Sequence, residues 1–505
     1  MSTSNATTAP AAPAEDIAAL AKGGRTNILG FGLRLAARVP FLFVAGRLYG
    51  AETVGRFALA VVVVELAALL ATLGMKRGLA QALSETDQPH AHVAWDALAV
   101  AFFAATTASL LLFLFPQIMD PNDTVSGAAE WLPAIVVAIA WSDVSLAALA
   151  FRHNVAAAVT ARAVIEPWTI SISATALWFV APHDGLEIAY MLSMVAAMVA
   201  SMVPFIRSYG LPLGWKPHPG KILSLARRNV PLAGADAIEW ATRNVDRFLV
   251  GQLFAPTIVG IYYMAQQISS LPGRLKTSFD PILGPVIATS LARGDKQAVA
   301  AQVRQVGFWI MAAQGCLALM GSIPGEAVMG TIGPQFVAGT AALAFLLFGE
   351  VFASMGAVSE SALVYVARHR NLLISASMLA FQIVLSLAMV FGMRGLGWSA
   401  QSQAAGPAVA LMLSLLLTSV LRSRLLVRML GAPVSGVRWP LIWAAAAATG
   451  IGALFTALPH RFEWVELVFG LPAIGGSYLF ILWRWAFKPE DRALFQRKPP
   501  TLTAP

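Results

Sequence analysis

Cysteine and charge are what this sequence has least of. A single cysteine, Cys316, stands in 505 residues, so no disulfide can close within the chain and no cysteine-based metal cluster can be built. Charged residues make up 12% of the chain, about half the roughly 25% of an average soluble domain. Hydrophobic residues make up 58%. Such a chain cannot cover itself with polar surface, so the solvent it fits is lipid. Catalytic signatures are missing too: there is no phosphate-binding glycine loop, no HExxH and no GxSxG. The seven histidines are dispersed near the ends of apolar runs. Their one close pair, His90 and His92, would point to different faces of a helix. The expectation is a protein that is no enzyme and has neither metal nor cofactor.

What is present is a series of apolar runs, each long enough to cross a hydrocarbon core about 30 Å thick. Fourteen such spans are expected, which makes the fold class an all-α, multi-pass membrane protein. The net charge of +9 does not point to nucleic acid, because its distribution follows the loops. Lys and Arg crowd one set of connections, around Lys76–Arg77, Arg152–Arg162, Arg207–Arg228, Arg293–Arg304, Arg368–Arg370 and Arg422–Arg438, together with both tails. The other side holds only Arg56, Arg394 and Arg461. The positive-inside rule then puts both termini in the cytoplasm, and the lipid bilayer is the first partner.

The first 20 residues are mostly Ala, Thr, Ser and Pro, without a basic segment followed by an apolar one, which reads as no cleavable signal peptide. The expected organisation is a disordered cytoplasmic tail over 1–26, a lobe of spans 1–6 over 27–206, and a cytoplasmic linker over 207–229. A second lobe of spans 7–12 follows over 230–425, then a hairpin of spans 13–14 over 426–487 and a tail over 488–505. Trp439, Trp443, Trp464 and Trp483 are placed as interfacial anchors of the hairpin.

Shifted back by 205 residues, the chain meets itself. Arg243, Phe248, Gly251, Leu253, Val259, Gly260 and Ala265 fall on Arg38, Phe43, Gly46, Leu48, Val54, Gly55 and Ala60. A biased apolar composition would give roughly two such identities by chance over this stretch, so an internal repeat is expected. Six spans per repeat is an even number, so both halves enter the membrane in the same direction and are related by an axis along its normal.

Charges inside the spans are the candidate functional residues, since each costs several kcal/mol unless it faces a partner or a cavity. In span 7, Asp236, Glu239, Arg243 and Asp246 recur at helical spacing, with Arg247 beside them. Intrahelical salt bridges, Glu239 with Arg243 and Arg243 with Asp246, are the plainer reading. Span 1 carries Arg34 and Arg38 without an acid of its own, so their counter-ion comes from another helix or a bound anion, and paired guanidiniums suit a phosphate. At 1.5 Å per residue Arg38 sits about 16 Å into the membrane and Arg243 about 21 Å. Arg34, Arg38, Arg243 and Arg247 are therefore expected to line a cationic cavity. Asp236, Glu239, Asp246, Asp143 and Glu350 are candidates for ion coupling or salt bridging, and the single acids Glu65, Asp143, Glu166, Asp280, Glu350 and Glu360 could serve as proton or cation sites, pair with Arg34, Arg38 or Arg162, or sit near the headgroups. Gly46, Gly55, Gly251, Gly260 and a helix break at Pro272–Gly273 are expected to permit bending and close packing.

The repeated segments GRLYGAETVGRFALA and GQLFAPTIVGIYYMA, the latter followed by PGRL and DPILGPVIATSLARGD, resemble the multidrug/oligosaccharidyl-lipid/polysaccharide (MOP) superfamily, and within it the Wzx-type polysaccharide-biosynthesis flippases. The resemblance covers roughly 20–425. It implies an alternating-access transporter whose central cavity is lined by spans 1, 2, 7 and 8. Such a transporter takes an undecaprenyl-diphosphate-linked oligosaccharide from the cytoplasmic to the outer leaflet of a bacterial inner membrane, handing it to a polysaccharide polymerase and chain-length machinery. The terminal hairpin looks more like the lipid II flippase branch. A cation-coupled multidrug exporter should show an acidic cavity instead. A membrane glycan polymerase or ligase should carry a long external loop, and every external connection here is short.

Overall fold

A computed structural model describes residues 36–119, 127–277, 280–459 and 463–492. Arg34, Arg461, the N-terminal tail and most of the C-terminal tail lie outside the described residues. The described residues are helical almost throughout and contain no strand, as expected where lipid can satisfy no backbone group and each segment must satisfy its own.

Among the described residues, ten helices are long and apolar enough to cross a membrane. They cover eleven of the fourteen expected spans, and three features account for the difference. Spans 1 and 2 run as a single helical stretch, Ala36–Ser84, interrupted where Gly50 adopts φ 79°. Span 5 is divided between a π-helical turn, Thr160–Ile165, and a helix Glu166–Trp178 too short to qualify alone. Spans 7 and 8 are the helices Pro219–Leu253 and Pro256–Thr277, whose polar residues dilute their apolar character. The segment read as a linker begins its helix at Pro219, so its second half already belongs to span 7.

Beyond span 2 the chain turns through Leu73 (φ 46°) and Gly74 (φ 73°) into a short helix, Met75–Ser84. Its buried face is Met75, Gly78, Leu79 and Leu83, leaving Lys76 and Arg77 to reach other helices. Span 8 is not broken at Pro272–Gly273 as expected. The helix continues through Pro272, and the Pro272 carbonyl accepts a hydrogen bond from Gln314 at 3.3 Å. A second helix, Asp280–Ala292, extends the chain as the sequence suggested.

The repeat is visible in how spans 2 and 8 cross. A Cβ on Gly55 would lie 1.7 Å from the Pro256 carbonyl oxygen, and one on Gly260 would lie 1.9 Å from that of Ala51. Both pairs are related by the same 205-residue shift, so the two backbones touch through equivalent residues.

The hairpin of spans 13 and 14 is docked on span 9, Lys296–Ser322. Tyr478 fills the space above Gly315, and Met320 that above Gly475. At the arginine-rich end, fully buried Asp491 accepts from Arg438 at 2.6 Å and Trp309 at 2.8 Å, and also from Gln305. The Arg438 guanidinium lies 3.7 Å over the Phe308 ring. Large apolar side chains such as Phe103, Leu114, Ile172, Val384 and Phe480 remain exposed around the outside, with Trp439, Trp443, Trp464 and Trp483, a surface that suits lipid and would aggregate in water.

Candidate functional site

Charged residues of spans 1, 2 and 7 converge around two tyrosines, Tyr190 of span 6 and Tyr263 of span 8. Arg247 of span 7 is buried, with 3% of its side chain exposed, and its Nη2 pairs with Glu65 of span 2 at 3.5 Å. The same nitrogen donates to Asn244 Oδ1 at 3.2 Å, and the guanidinium lies 5.4 Å from the Tyr263 ring. Tyr190 of span 6 donates to the second Glu65 oxygen at 3.3 Å. Phe57 packs edge-on to both Tyr190 and Tyr263, 5.6 and 6.3 Å between ring centres. Arg38, half-buried in span 1, lies within electrostatic reach of the Tyr263 phenol and forms no ion pair among the described residues. Glu65 thus finds its partner on span 7, an option the sequence reading did not name.

Closer to the arginine-rich end, Arg77 reaches from Met75–Ser84 to span 7 and pairs with Asp236 at 2.7 Å and Glu239 at 2.5 Å. Glu239 also meets Arg243 at 3.5 Å. One helical face therefore divides into two environments, with Asp236 and Asp246 buried and Glu239 and Arg243 about half exposed. Arg228 and Glu85 add a further ion pair across the same boundary, beside Asn229, which packs against Met75 and Gly78. Arg77 was assigned from the sequence only to a basic loop. Its position one turn past span 2 was the signal that it could face span 7.

The expected Arg243–Asp246 bridge does not form. Asp246 is fully buried and accepts from Tyr262 at 2.6 Å and from Gln266 at 3.3 Å, so neutral donors from span 8 satisfy it. Asp143 pairs with Arg162 at 2.5 Å and Lys76 at 3.5 Å, and Arg162 also holds Glu166 at 2.9 Å. Glu350 packs against Gly273, where a Cβ would come within 2.6 Å of its Oε2. Arg422 is gripped by Glu360 through two contacts, 2.8 and 2.9 Å. The side chain of Asp280 lies outside the described residues. The glycines read as hinges are places of close approach: Gly46 against Ile332 and Gly251 against Leu59, in addition to the Gly55–Gly260 crossing. Gly46 itself sits in a π-helical turn, Ala45–Tyr49.

An all-helical bundle with ten membrane-length apolar helices among the described residues, and ion pairs linking the helices of its two repeats, defines a multi-pass membrane protein. The chain belongs to the polysaccharide biosynthesis protein family, whose model matches residues 44–313. Among solved structures it is similar to the lipid II flippase MurJ in an inward closed conformation, at 13% identity and a TM-score of 0.66, covering 90% of this chain and 96% of that one. An inward-facing multidrug resistance MATE family transporter of the MOP superfamily aligns at 13% identity and a TM-score of 0.63, covering 80% and 94%. A MOP superfamily transporter from Pyrococcus furiosus aligns at 12% and 0.55, covering 83% and 96%. At such identities the fold is what is shared. No curated protein matches the sequence.

Proposed function

We propose that this protein is an alternating-access flippase that moves a polyprenyl-diphosphate-linked oligosaccharide from the inner to the outer leaflet of a bacterial cytoplasmic membrane, with the arginine-rich end cytoplasmic. The carrying observation is Arg38, a half-buried guanidinium at membrane depth with no ion pair among the described residues. It stands beside the Glu65–Arg247 pair that links spans 2 and 7. A charge held there without a counter-ion is costly, and a diphosphate offers parallel acceptors to guanidiniums. In this reading the two six-span lobes enclose the site. Arg34, Arg38, Arg243 and Arg247 serve the diphosphate, and Asp246, held by neutral donors, is the group best suited to a coupling proton. The delivered unit then passes to a polymerase and chain-length machinery for exopolysaccharide or O-antigen synthesis.

The test is glycan export in cells lacking the native gene, with membrane levels of each variant measured in parallel. Arg38→Ala is expected to reduce export at least about tenfold at unchanged membrane level, the scale of one lost charge-assisted contact. Arg38→Lys should recover it partly, because the bidentate geometry is lost. Full export by an Arg38→Ala, Arg247→Ala double variant would remove the cationic site from the mechanism. Drug resistance conferred without glycan export would favour a multidrug exporter.

A further inference from the structure

The geometry points to a second anionic site, on the outer surface of the bundle: a cationic groove between spans 11 and 12 that holds one anionic glycerophospholipid of the leaflet at the arginine-rich end. Span 11, Arg368–Gly395, begins at that end, and span 12, Gly406–Leu430, finishes there. A groove of about 350 Å³ runs between them, lined by Arg370, Arg424 and Arg428 together with the apolar Leu373, Ile374 and Leu421. The helical spacing produces this order. Arg370, Leu373 and Ile374 stand at i, i+3 and i+4 on one helix, and Leu421, Arg424 and Arg428 at i, i+3 and i+7 on the other, which puts each set on a single face. Counted from the helix ends at 1.5 Å per residue, the arginines lie roughly within the first turns and the leucines about one turn deeper.

Charge identifies the occupant. Arg422, two residues from Arg424, is neutralised by Glu360 on span 10 through two short contacts. Arg370, Arg424 and Arg428 form no ion pair among the described residues. Arg370 also stands in the first turn of its helix, where the backbone dipole is already positive and a cation is unfavourable without an anion nearby. Three guanidiniums without an ion pair among the described residues, next to apolar side chains, complement a phosphate headgroup with its acyl chain, which matches how basic pockets between membrane helices take anionic lipid. A soluble phosphate would leave the apolar side chains unused, and a zwitterionic lipid brings its own cation to the arginines. This site is separate from the transported substrate and does not depend on which glycan is carried.

Full-length protein reconstituted in mixed phosphatidylcholine and phosphatidylglycerol bilayers, then released for native mass spectrometry, would show whether one phosphatidylglycerol is retained. Wild type should keep phosphatidylglycerol in preference to phosphatidylcholine. Arg370→Gln, Arg424→Gln, Arg428→Gln together should weaken that retention by about a hundredfold, the effect of three interfacial arginines acting together. The triple Lys variant should retain most of it and guards against a folding defect, and Arg227→Gln, a cation elsewhere on the same side, should change nothing. Equal retention of the two lipids by wild type, or unchanged retention by the triple Gln variant, would overturn the assignment. So would displacement of phosphatidylglycerol by an equimolar polyprenyl diphosphate, which would make the groove a substrate site.

Discussion

Gly55 and Gly260 occupy one another's missing side-chain space: a Cβ on either would lie 2.9 Å from the other's amide nitrogen. The two residues are equivalent under the repeat, and so are the carbonyls they face, those of Pro256 and Ala51. Reciprocal contact of this kind is what a local two-fold relation produces, and it brings the helices of spans 2 and 8 to backbone contact, the close approach that small residues permit between membrane helices.

Either glycine replaced by alanine must push two backbones apart, since a carbonyl cannot rotate away as a long side chain can. Gly55→Ala and Gly260→Ala are each expected to destabilise by about 1–3 kcal/mol, the usual range for overpacking. The double variant should lose less than the sum, because one separation of the helices relieves both clashes. Gly392→Ala, in a helix with open space around it, should be neutral or gain up to about 1 kcal/mol. Thermal unfolding in detergent measures all four, and equal melting of Gly55→Ala and Gly392→Ala would contradict the crossing.

The Glu65–Arg247 pair should behave as a coupled unit. Removing Glu65 leaves the buried Arg247 without its carboxylate, and removing Arg247 releases a carboxylate that is 39% exposed and can find water. Glu65→Gln is therefore expected to cost more than Arg247→Met. A double-mutant cycle should return a coupling of about 0.5–3 kcal/mol. A coupling of zero, measured on folded protein, would mean that the two helices are not joined through this contact.

The fold was legible because lipid imposes a single backbone solution and leaves its mark in run length, and because the repeat survives as identical residues at Gly55, Gly260 and their neighbours. The site was legible only in part. Spacing placed Asp236, Glu239, Arg243 and Asp246 on one helix, yet the partners that divide them come from elsewhere in the chain: Arg77 for the first two, and Tyr262 and Gln266 for Asp246. A tyrosine hydroxyl competes for a carboxylate as effectively as an arginine in the same helix, and no periodicity announces it. Gly46 and Gly251 are expected from the sequence to permit bending and close packing, and close packing is what is seen, with Ile332 and Leu59 filling the space beside them. Pro272 signals a break in an isolated helix, but span 8 continues through it, as helices packed among neighbours in a membrane tolerate proline.

Acid should loosen the contact between Glu85 and Arg228. Glu85 stands just outside span 2, and hydrogen bonds from Arg228 and then Gln81 hold its carboxyl below the ordinary value of 4.5. A group lowered in this way contributes stability that is present above its unfolded value and is lost as pH falls through the folded one. The melting difference between wild type and Glu85→Gln should thus be fully present well above the ordinary value of 4.5 and shrink as the pH falls below it. A difference that grows on acidification would show the opposite linkage and reject the pairing.

Arg77 makes the last and most direct test of alternating access. It ties Met75–Ser84 to span 7 through Asp236 and Glu239, and an opening at the arginine-rich end has to break both contacts and expose Asn229, which is 3% accessible behind them. Both ion pairs include partly exposed groups, so each is worth only about 0.2–1 kcal/mol. Losing the two should raise the population open at that end by roughly twofold to thirtyfold, provided the closed form dominates. Asn229→Cys in a Cys316→Ala background gives a reporter thiol whose labelling by a membrane-impermeant maleimide tracks this opening. Arg77→Ala should speed its labelling within that range, and Arg77→Lys should do so by less, since a single ammonium cannot reproduce the forked contact to two carboxylates. Arg56→Ala should not change the rate, because among the described residues Arg56 pairs with Glu52 in its own helix. Should Arg77→Ala and Arg56→Ala label at the same rate, the two Arg77 contacts would play no part in closure, which would have to rest on the Arg228–Glu85 pair and the packing of Asn229 against Met75 and Gly78.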